Sequence, residues 1–490
     1  MKKGIKIGIA AALTAVALST AAVGVHLGYA KTTAETADYT AGEAPLRVAI
    51  ISDLQLPNSN SKETHQYKSF EETLTMLKNK GMDALIIAGD FTDLSTKSAW
   101  GSFKEIYDRV LGENKPIPLF IMGNHDYWLP AFNEIWEVAA PAKLQKRFTK
   151  YTGEYPFGHK IINGYHFICM SSSDGTYDKS YSDSAWVKAE LDKAVADAPD
   201  RPVFVITHLN PSDTVYGSDE WGNSDIHDIL KDYSQAVSIS GHSHYSLIDE
   251  RSIWQGEYTA FSTQSLDYIE LESGKFNGSI PKDAYGKSLA KTTPACLYMT
   301  VESDKVTVER LEAHTGKALK EPWVIEAPFS SPQKYTEKRA EKNSAPAMPA
   351  ELDAKITKIT DIHGVEQKML SFNAGTDDDF VHSYALEFLD KDGKLLEFEE
   401  TDYENSIVRY DENGAKLRAD NKNYESGKSR LVSRVLYFSD FALGLENMSK
   451  TAELRLPHNL PAEAVKVRIR AVDSWGKESE SAECELIYND

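Results

Sequence analysis

The chain has 490 residues, 41% hydrophobic and 26% charged, with 54 Lys and Arg against 74 Asp and Glu for a formal net charge of −20. That length and an aromatic content of 10% exclude a wholly disordered, collagen-like or coiled-coil chain and point to two or more globular domains. The negative balance repels a nucleic-acid backbone and argues against a general DNA or RNA binder, so any anionic ligand needs local positive charge.

In chain order, the first segment is unlike the rest. Lys2, Lys3 and Lys6 precede an uncharged run over residues 7–30 that ends in Gly28-Tyr29-Ala30, with small residues where a signal peptidase needs them. Residues 1–30 therefore read as a secretory signal peptide, implying an extracytoplasmic protein, secreted or cell-surface associated. Left uncut, residues 7–30 are long enough to act as a membrane tether. Removing residues 1–30 takes away three lysines and no acid and leaves a net charge of −23. The polar residues 31–44 read as a spacer.

From Arg47 onward short apolar runs at 48–51, 84–88, 119–122, 203–206 and 236–239 alternate with helical periods such as 67–80, 98–111 and 185–198. Such continuous runs are typical of strands buried on both faces, and the alternation is that of an α/β domain over residues 45–325. Residues 326–350, with four prolines between Pro328 and Pro349 and no apolar period, read as a linker. Over 351–490 apolar and polar residues alternate, with turn signals at Asp392-Gly393, Asn413-Gly414 and Trp475-Gly476, the texture of an all-β sandwich. Cys169, Cys296 and Cys484 are far apart in apolar runs and read as small hydrophobes rather than a disulfide framework.

Five polar clusters each close an apolar run: Asp53-Leu54-Gln55, Gly89 to Asp93, Gly123-Asn124-His125-Asp126, Thr207-His208, and Gly241-His242-Ser243-His244. In α/β folds the loops after strand C-termini are where sites are built. The set supplies imidazole, carboxylate and amide donors without thiolates, which suits Zn, Fe or Mn. A carboxylate between two half-sets can bridge two cations, and a water shared by such a pair becomes hydroxide near neutral pH. The glycines at 89, 123 and 241 are expected to let the backbone turn sharply as each strand ends. His242 and His244, two apart, fall on one side of an extended segment.

With these motifs the sequence resembles the calcineurin-like metallophosphoesterase family, whose pattern is D-x-H, G-D-x-x-D, G-N-H-[DE], H and G-H-x-H. The resemblance covers about residues 45–315. It implies a four-layer α/β/β/α sandwich and two divalent or mixed-valence metal ions, Fe, Zn or Mn. Asp53, Gln55, Asp90 and His244 would surround one ion, and Asp90, Asn124, His208 and His242 the other, with Asp90 bridging. His125 would be the catalytic, non-ligand histidine that protonates the leaving oxygen, oriented by Asp93. Gln55 departs from the family's usual His, so the first ion should be held more weakly or be a harder ion.

The C-terminal stretch resembles a fibronectin type III module through Leu370 to Ala374, Phe380 to Tyr384 and residues 460–479, with Phe372 for the usual core Trp and Val465 for the corner Tyr. The reading that follows is an exported binuclear metal-dependent phosphoesterase acting on a small phosphomonoester or phosphodiester through a metal-bridging hydroxide. The alternative is a surface binding or adhesion protein with a weak or structural metal site, whose C-terminal domain takes a cell-surface ligand. Asp126 is even between supporting the site and capping a turn, and Tyr127 and Trp128 between lining the entrance and packing. The other histidines, His382 among them, default to surface or core roles. Asp390-Lys391-Asp392-Gly393 reads as a hairpin turn rather than a calcium loop, because Thr401 stands where the loop's glutamate belongs.

Overall fold

The structure is a computed structural model and describes residues 30–31, 45–59, 62–130, 137–138, 141–175, 181, 184–270, 293–330, 334–360, 366–400, 409–410, 416–417, 430–457 and 459–487. The signal-peptide reading, nearly all of the spacer and the Asn413-Gly414 turn lie outside the described residues. Among the described residues no helix is long and apolar enough to cross a membrane.

The apolar runs are strands of two sheets. In the six-stranded sheet, Leu46–Ile51, Ala84–Ala88 and Ile117–Ile121 run parallel to one another, and Ala295–Val301, Lys305–Glu312 and Ala318–Glu326 add antiparallel at the other edge. In the seven-stranded sheet, Tyr165–Met170, Val203–Thr207, Ala236–Ser240 and Thr259–Ser262 are parallel, flanked by antiparallel Phe157–Ile162 and Ile253–Gln255. Residues 30–31 pair with Phe157 and Gly158 at its edge.

Two-residue alternation along each strand decides which apolar cluster a side chain joins. Val48 and Ile50 meet Phe167, Phe204, Ile206 and Ile239 of the other sheet, whereas Ala49 and Ile51 meet Phe70, Leu74 and Phe103 on the helices His65–Lys80 and Lys97–Leu111. On the seven-stranded sheet Val203 and Val205 meet Val187 and Leu191 of helix Ser184–Asp197 and Ile226 and Ile229 of helix Ser224–Leu230. Both faces of these strands are covered, which is why their runs show no polar gaps.

The proline-bearing stretch is docked rather than free. Gln255 Oε1 accepts from the backbone N–H groups of Lys334 and Tyr335, both at 3.0 Å, and Arg339 donates to the carbonyls of Glu250 and Ile253, both at 2.7 Å. Beyond it lie two antiparallel sheets, ordered Lys355–Thr360, Glu366–Asn373, Thr451–Arg455 and Arg434–Phe438, Ser383–Leu389, Lys466–Val472, Ala482–Glu485. Leu370, Phe372, Leu386, Leu454, Val467 and Ile469 from both sheets share one core, and the Phe372 ring meets Tyr384 edge-on at 5.0 Å. Asp390 Oδ1 accepts from Asp392 and Lys394 N–H across the expected turn. All three cysteines are free, and Cys169 and Cys296 are buried.

Phe103 packs against the rings of Phe70, Phe91, Trp100, Tyr107 and Phe120 at 4.8–6.2 Å. Replacing Phe103 with Ala should cost about 3–5 kcal/mol through the lost transfer energy and the cavity left behind. A melt of the variant should show a clearly lower transition temperature; an unchanged transition would contradict this placement.

Candidate metal centre

The parallel strands of both sheets present their carboxyl ends at one place. Asp53 and Gln55 follow Leu46–Ile51, Asp90 follows Ala84–Ala88, Asn124 and His125 follow Ile117–Ile121, His208 follows Val203–Thr207, and His242 and His244 follow Ala236–Ser240. Backbone hydrogen bonds tie the loops laterally: Asp53 N–H donates to Gly89 O at 3.1 Å, Gln55 N–H to Asp90 O at 3.0 Å and Gly241 N–H to His208 O at 3.0 Å.

Two groups of donors result. Asp53, Asp90 and His244 bring ligand atoms within 4.8 Å of one another, as do Asp90, His208 and His242, and Asp90 belongs to both. Asp53 Oδ1 is 3.0 Å from His244 Nε2, while His208 Nε2 is 3.2 Å from Asp90 Oδ2 and 3.0 Å from Asn124 Oδ1. Gln55 places its carboxamide 3.4 Å from His244 Nε2. Asp90 Oδ2 and Asn124 Nδ2 are buried and form no hydrogen bond of ordinary geometry among the described residues. A buried carboxylate oxygen left this way suits a cation, and nitrogen with oxygen donors in two sets around one carboxylate fits a pair of borderline metal ions.

The imidazoles are aimed by backbone carbonyls. His208 Nδ1–H donates to Ala88 O at 2.8 Å, His244 Nδ1–H to Tyr268 O at 3.2 Å and His125 Nδ1–H to Asp93 O at 2.9 Å, which leaves each Nε2 facing the centre. His125 Nε2 lies 4.0 Å from Asp90 Oδ2, and the His125 side chain keeps 14% of its surface exposed, so it can meet a substrate. The expected Asp93 partnership takes a different form. The Asp93 carboxylate stands 3.6 Å from Nδ1, too far for a hydrogen bond, and its backbone carbonyl does the orienting.

The glycine expectation holds for Gly89, whose φ is +95°; Gly123 and Gly241 turn no left-handed corner and are needed for space. A Cβ on Gly123 would stand 2.2 Å from Asp90 Oδ1, and one on Gly241 2.8 Å from Asp53 Oδ2. The left-handed backbone is borne by the candidate ligands themselves: Asp53, Gln55, Asp90, His242 and His244 have φ between +42° and +70°. Non-glycine residues there cost of order 1–3 kcal/mol each and persist only where the surroundings over-determine them.

Asp126 supplies part of that determination. Its carboxylate accepts from the N–H groups of Phe91, Thr92 and Gly123 and from Thr92 Oγ1, joining two ligand loops. Burial, then Asp90, pushes its pKa up to about 7 despite these donors. Tyr127 is fully buried, with its hydroxyl donating to Ser172 O at 2.6 Å, and Trp128 packs on the His125 ring at 4.1 Å. Four supporting residues escape motif reading. Ser52 contacts the Asp53 carboxylate, Tyr181 Oη accepts from the N–H groups of His208 and Leu209, Asn210 Nδ2 donates to Gly241 O, and Ser265 Oγ donates to Asp53 O. Serines, a tyrosine and an asparagine that hold backbone or a neighbouring carboxylate carry no spacing signal.

Electrostatics follow the same geometry. Burial works to raise the Asp53 pKa, but the imidazoles of His244 and His208 hold it well below the usual carboxylate range. Burial, the largest single influence, opposes charge on His208 and His125, but the carboxylates together outweigh it, Asp90 with Asp53 on His208 and Asp90 with Asp93 on His125, and both rise to about 9. His242 goes the other way, because burial and then the charge of His208 push it well down.

Protons on His208, and on His244, whose pKa is also raised, therefore compete with a cation for the same nitrogens, at His208 until the pH climbs toward 9. The apparent affinity for Mn(II) should rise as the pH is raised toward 9, with protons released on binding. Calorimetric titrations in buffers of different ionisation enthalpy would measure both, and a pH-independent affinity would contradict this donor set.

Residues 46–246 match the family model for calcineurin-like phosphoesterase. No curated protein matches the chain. Similar solved structures include GAP50, the anchor in the inner membrane complex of Plasmodium, at 15% identity over 61% of this chain and 92% of that one, with a TM-score of 0.35. Purple acid phosphatase PPD1 from yellow lupin, Lupinus luteus, is 11% identical over 61% of this chain and 57% of that one, with a TM-score of 0.38. The sulfate thiohydrolase SoxB of Thermus thermophilus is 10% identical over 61% and 59%, with a TM-score of 0.29. The stretch from 46 to 246, which holds all nine candidate metal-binding and catalytic residues, thus carries a calcineurin-like phosphoesterase domain.

Proposed function

We propose that the protein is an exported, binuclear metal-dependent phosphoesterase that hydrolyses a small phosphomonoester or phosphodiester. The observation that carries this reading is the pair of donor groups sharing Asp90, with His125 beside them and partly exposed. Two cations held there would polarise the phosphoryl oxygens and lower the pKa of an attacking water. His125 stands with Nε2 toward the centre and part of its side chain exposed, so in its protonated form it can pass a proton to the departing oxygen. Asn124, with Nδ2 buried at the same place, is positioned to donate to the phosphoryl group.

The four-layer sandwich is part of the same reading, supported by one apolar cluster that draws on both sheets and two more that join each sheet to its own helices. So is the fibronectin type III-like module, supported by the strand order of the two C-terminal sheets. Export rests on the character of residues 1–30, and a preference for small phosphoesters over polyanions on the net charge.

The test is incubation of the purified protein with Mn, Zn, Fe or Ni salts and aryl phosphate mono- and diesters. Metal-dependent release of the aryl alcohol is expected with at least one ester class; silence with every metal and both classes would favour the adhesion reading. Replacing His125 with Ala should leave metal content intact and lower turnover by roughly two decades or more. Replacing Asp90 with Ala should abolish binding of both ions, as elemental analysis would show, since both donor groups contain it.

A further inference from the structure

We propose that His382, on the C-terminal domain, is a positioning residue for the metal centre and acts on His244 through Tyr216 and Tyr245. The inference rests on the phosphoesterase reading of the site, and it gives the second domain a part in the chemistry.

His382 is fully buried between the domains. Its Nε2 lies 2.9 Å from Tyr216 Oη and 3.3 Å from Arg251 Nη2, while Nδ1 lies 3.1 Å from Ser383 Oγ. Arg251 is itself fixed, donating twice to Asp249 at 2.8 and 2.9 Å and lying over the Tyr216 ring at 4.0 Å. The guanidinium can only donate, so Nε2 is the acceptor and Nδ1–H faces Ser383. The imidazole ring stacks on Phe441 at 4.8 Å with Phe438 at 5.3 Å, which fixes its plane from the side of the C-terminal domain.

Tyr216 carries this contact inward. Its ring packs on Tyr245 at 4.4 Å, and Tyr245, fully buried, donates its hydroxyl to Glu220 at 3.0 Å. On Tyr245 the neighbouring Gly217 leaves no slack, since a Cβ there would stand 1.9 Å from the ring. Tyr245 is peptide-bonded to His244, whose φ of +54° is unfavourable and needs outside support. Downstream, Ile248 sits in an apolar cluster with Phe380, Phe438 and Phe441, so the segment leaving the metal centre is gripped by the second domain at two points.

An apolar residue at 382 would glue the domains as well as histidine does. Only an acceptor at the Nε2 position fixes both the Tyr216 hydroxyl and Arg251, and hence the seat of Tyr245. The interface has other ties that would survive the loss of His382: Lys320 donates to Ile248 O at 3.0 Å and contacts Asp379, and Thr293 Oγ1 donates to Leu443 O at 3.1 Å.

The experiment compares full-length wild type, His382→Phe, His382→Gln and Tyr216→Phe by Mn(II) titration, steady-state kinetics and thermal melting. His382→Phe should weaken the ion on the His244 side roughly tenfold, with the second ion little changed, and lower kcat more than it raises KM. His382→Gln, which keeps an acceptor, should recover most of both. Tyr216→Phe, which removes one hydroxyl and leaves the packing, should repeat the effect even if His382→Phe fails to fold. Wild-type affinity for both ions and wild-type kcat in Tyr216→Phe, or no recovery in His382→Gln where His382→Phe is impaired, would overturn the proposal. A wild-type protein that takes up no Mn(II) would instead bring down the reading of the site, and the clamp with it.

Discussion

The α/β part of this chain is arranged around one buried carboxylate. Asp90 is fully buried at the shared point of two donor groups, in a left-handed backbone conformation that favours glycine, with one oxygen accepting the His125 N–H and the other turned to the ligand histidines. Bringing such groups together in a low-dielectric place is costly unless each has a partner. The flanking structure answers that cost locally: parallel strands whose buried faces fix their ends, backbone bonds between loops, and the Asp126 carboxylate joining the loops at 91–92 and 123.

Five of the eight non-glycine residues with left-handed φ in the described structure are candidate ligands. That concentration is what strain held for function looks like, because a turn made for connectivity alone would place glycine or asparagine there. The glycines nearby serve the opposite need, keeping Cβ atoms out of the volume that the carboxylates of Asp53 and Asp90 occupy. Strain on the ligands and room beside them are two parts of one geometry.

The histidines show how direction is imposed. Three of them spend Nδ1–H on a backbone carbonyl, and those carbonyls belong to strand ends and loops held by the core. Ligand orientation is thereby inherited from the fold rather than from neighbouring side chains. The proposed clamp extends the same logic outward, since the stretch just after His244 is seated by Tyr216 and Ile248 against the C-terminal domain.

The elements and the donor set were readable from the order of residues alone. The run at 84–88 became a strand with those bounds, helix Lys97–Leu111 began one residue before its periodicity suggested, and the clusters that close the apolar runs meet in space. These were legible because burial on both faces and the chemistry of a metal ligand each leave a local mark in residue type and spacing. The contacts that arise on folding are long-range: Tyr181 under His208, Ser265 on the Asp53 backbone, the Asp93 carbonyl orienting His125, the docked stretch at 334–343 and the seat of His382. Most of these contacts join residues tens to hundreds of positions apart through ordinary hydroxyl, amide and carbonyl groups. Such groups acquire a role only when folding places a partner within about 3 Å, and no local pattern of residues encodes which partner that will be.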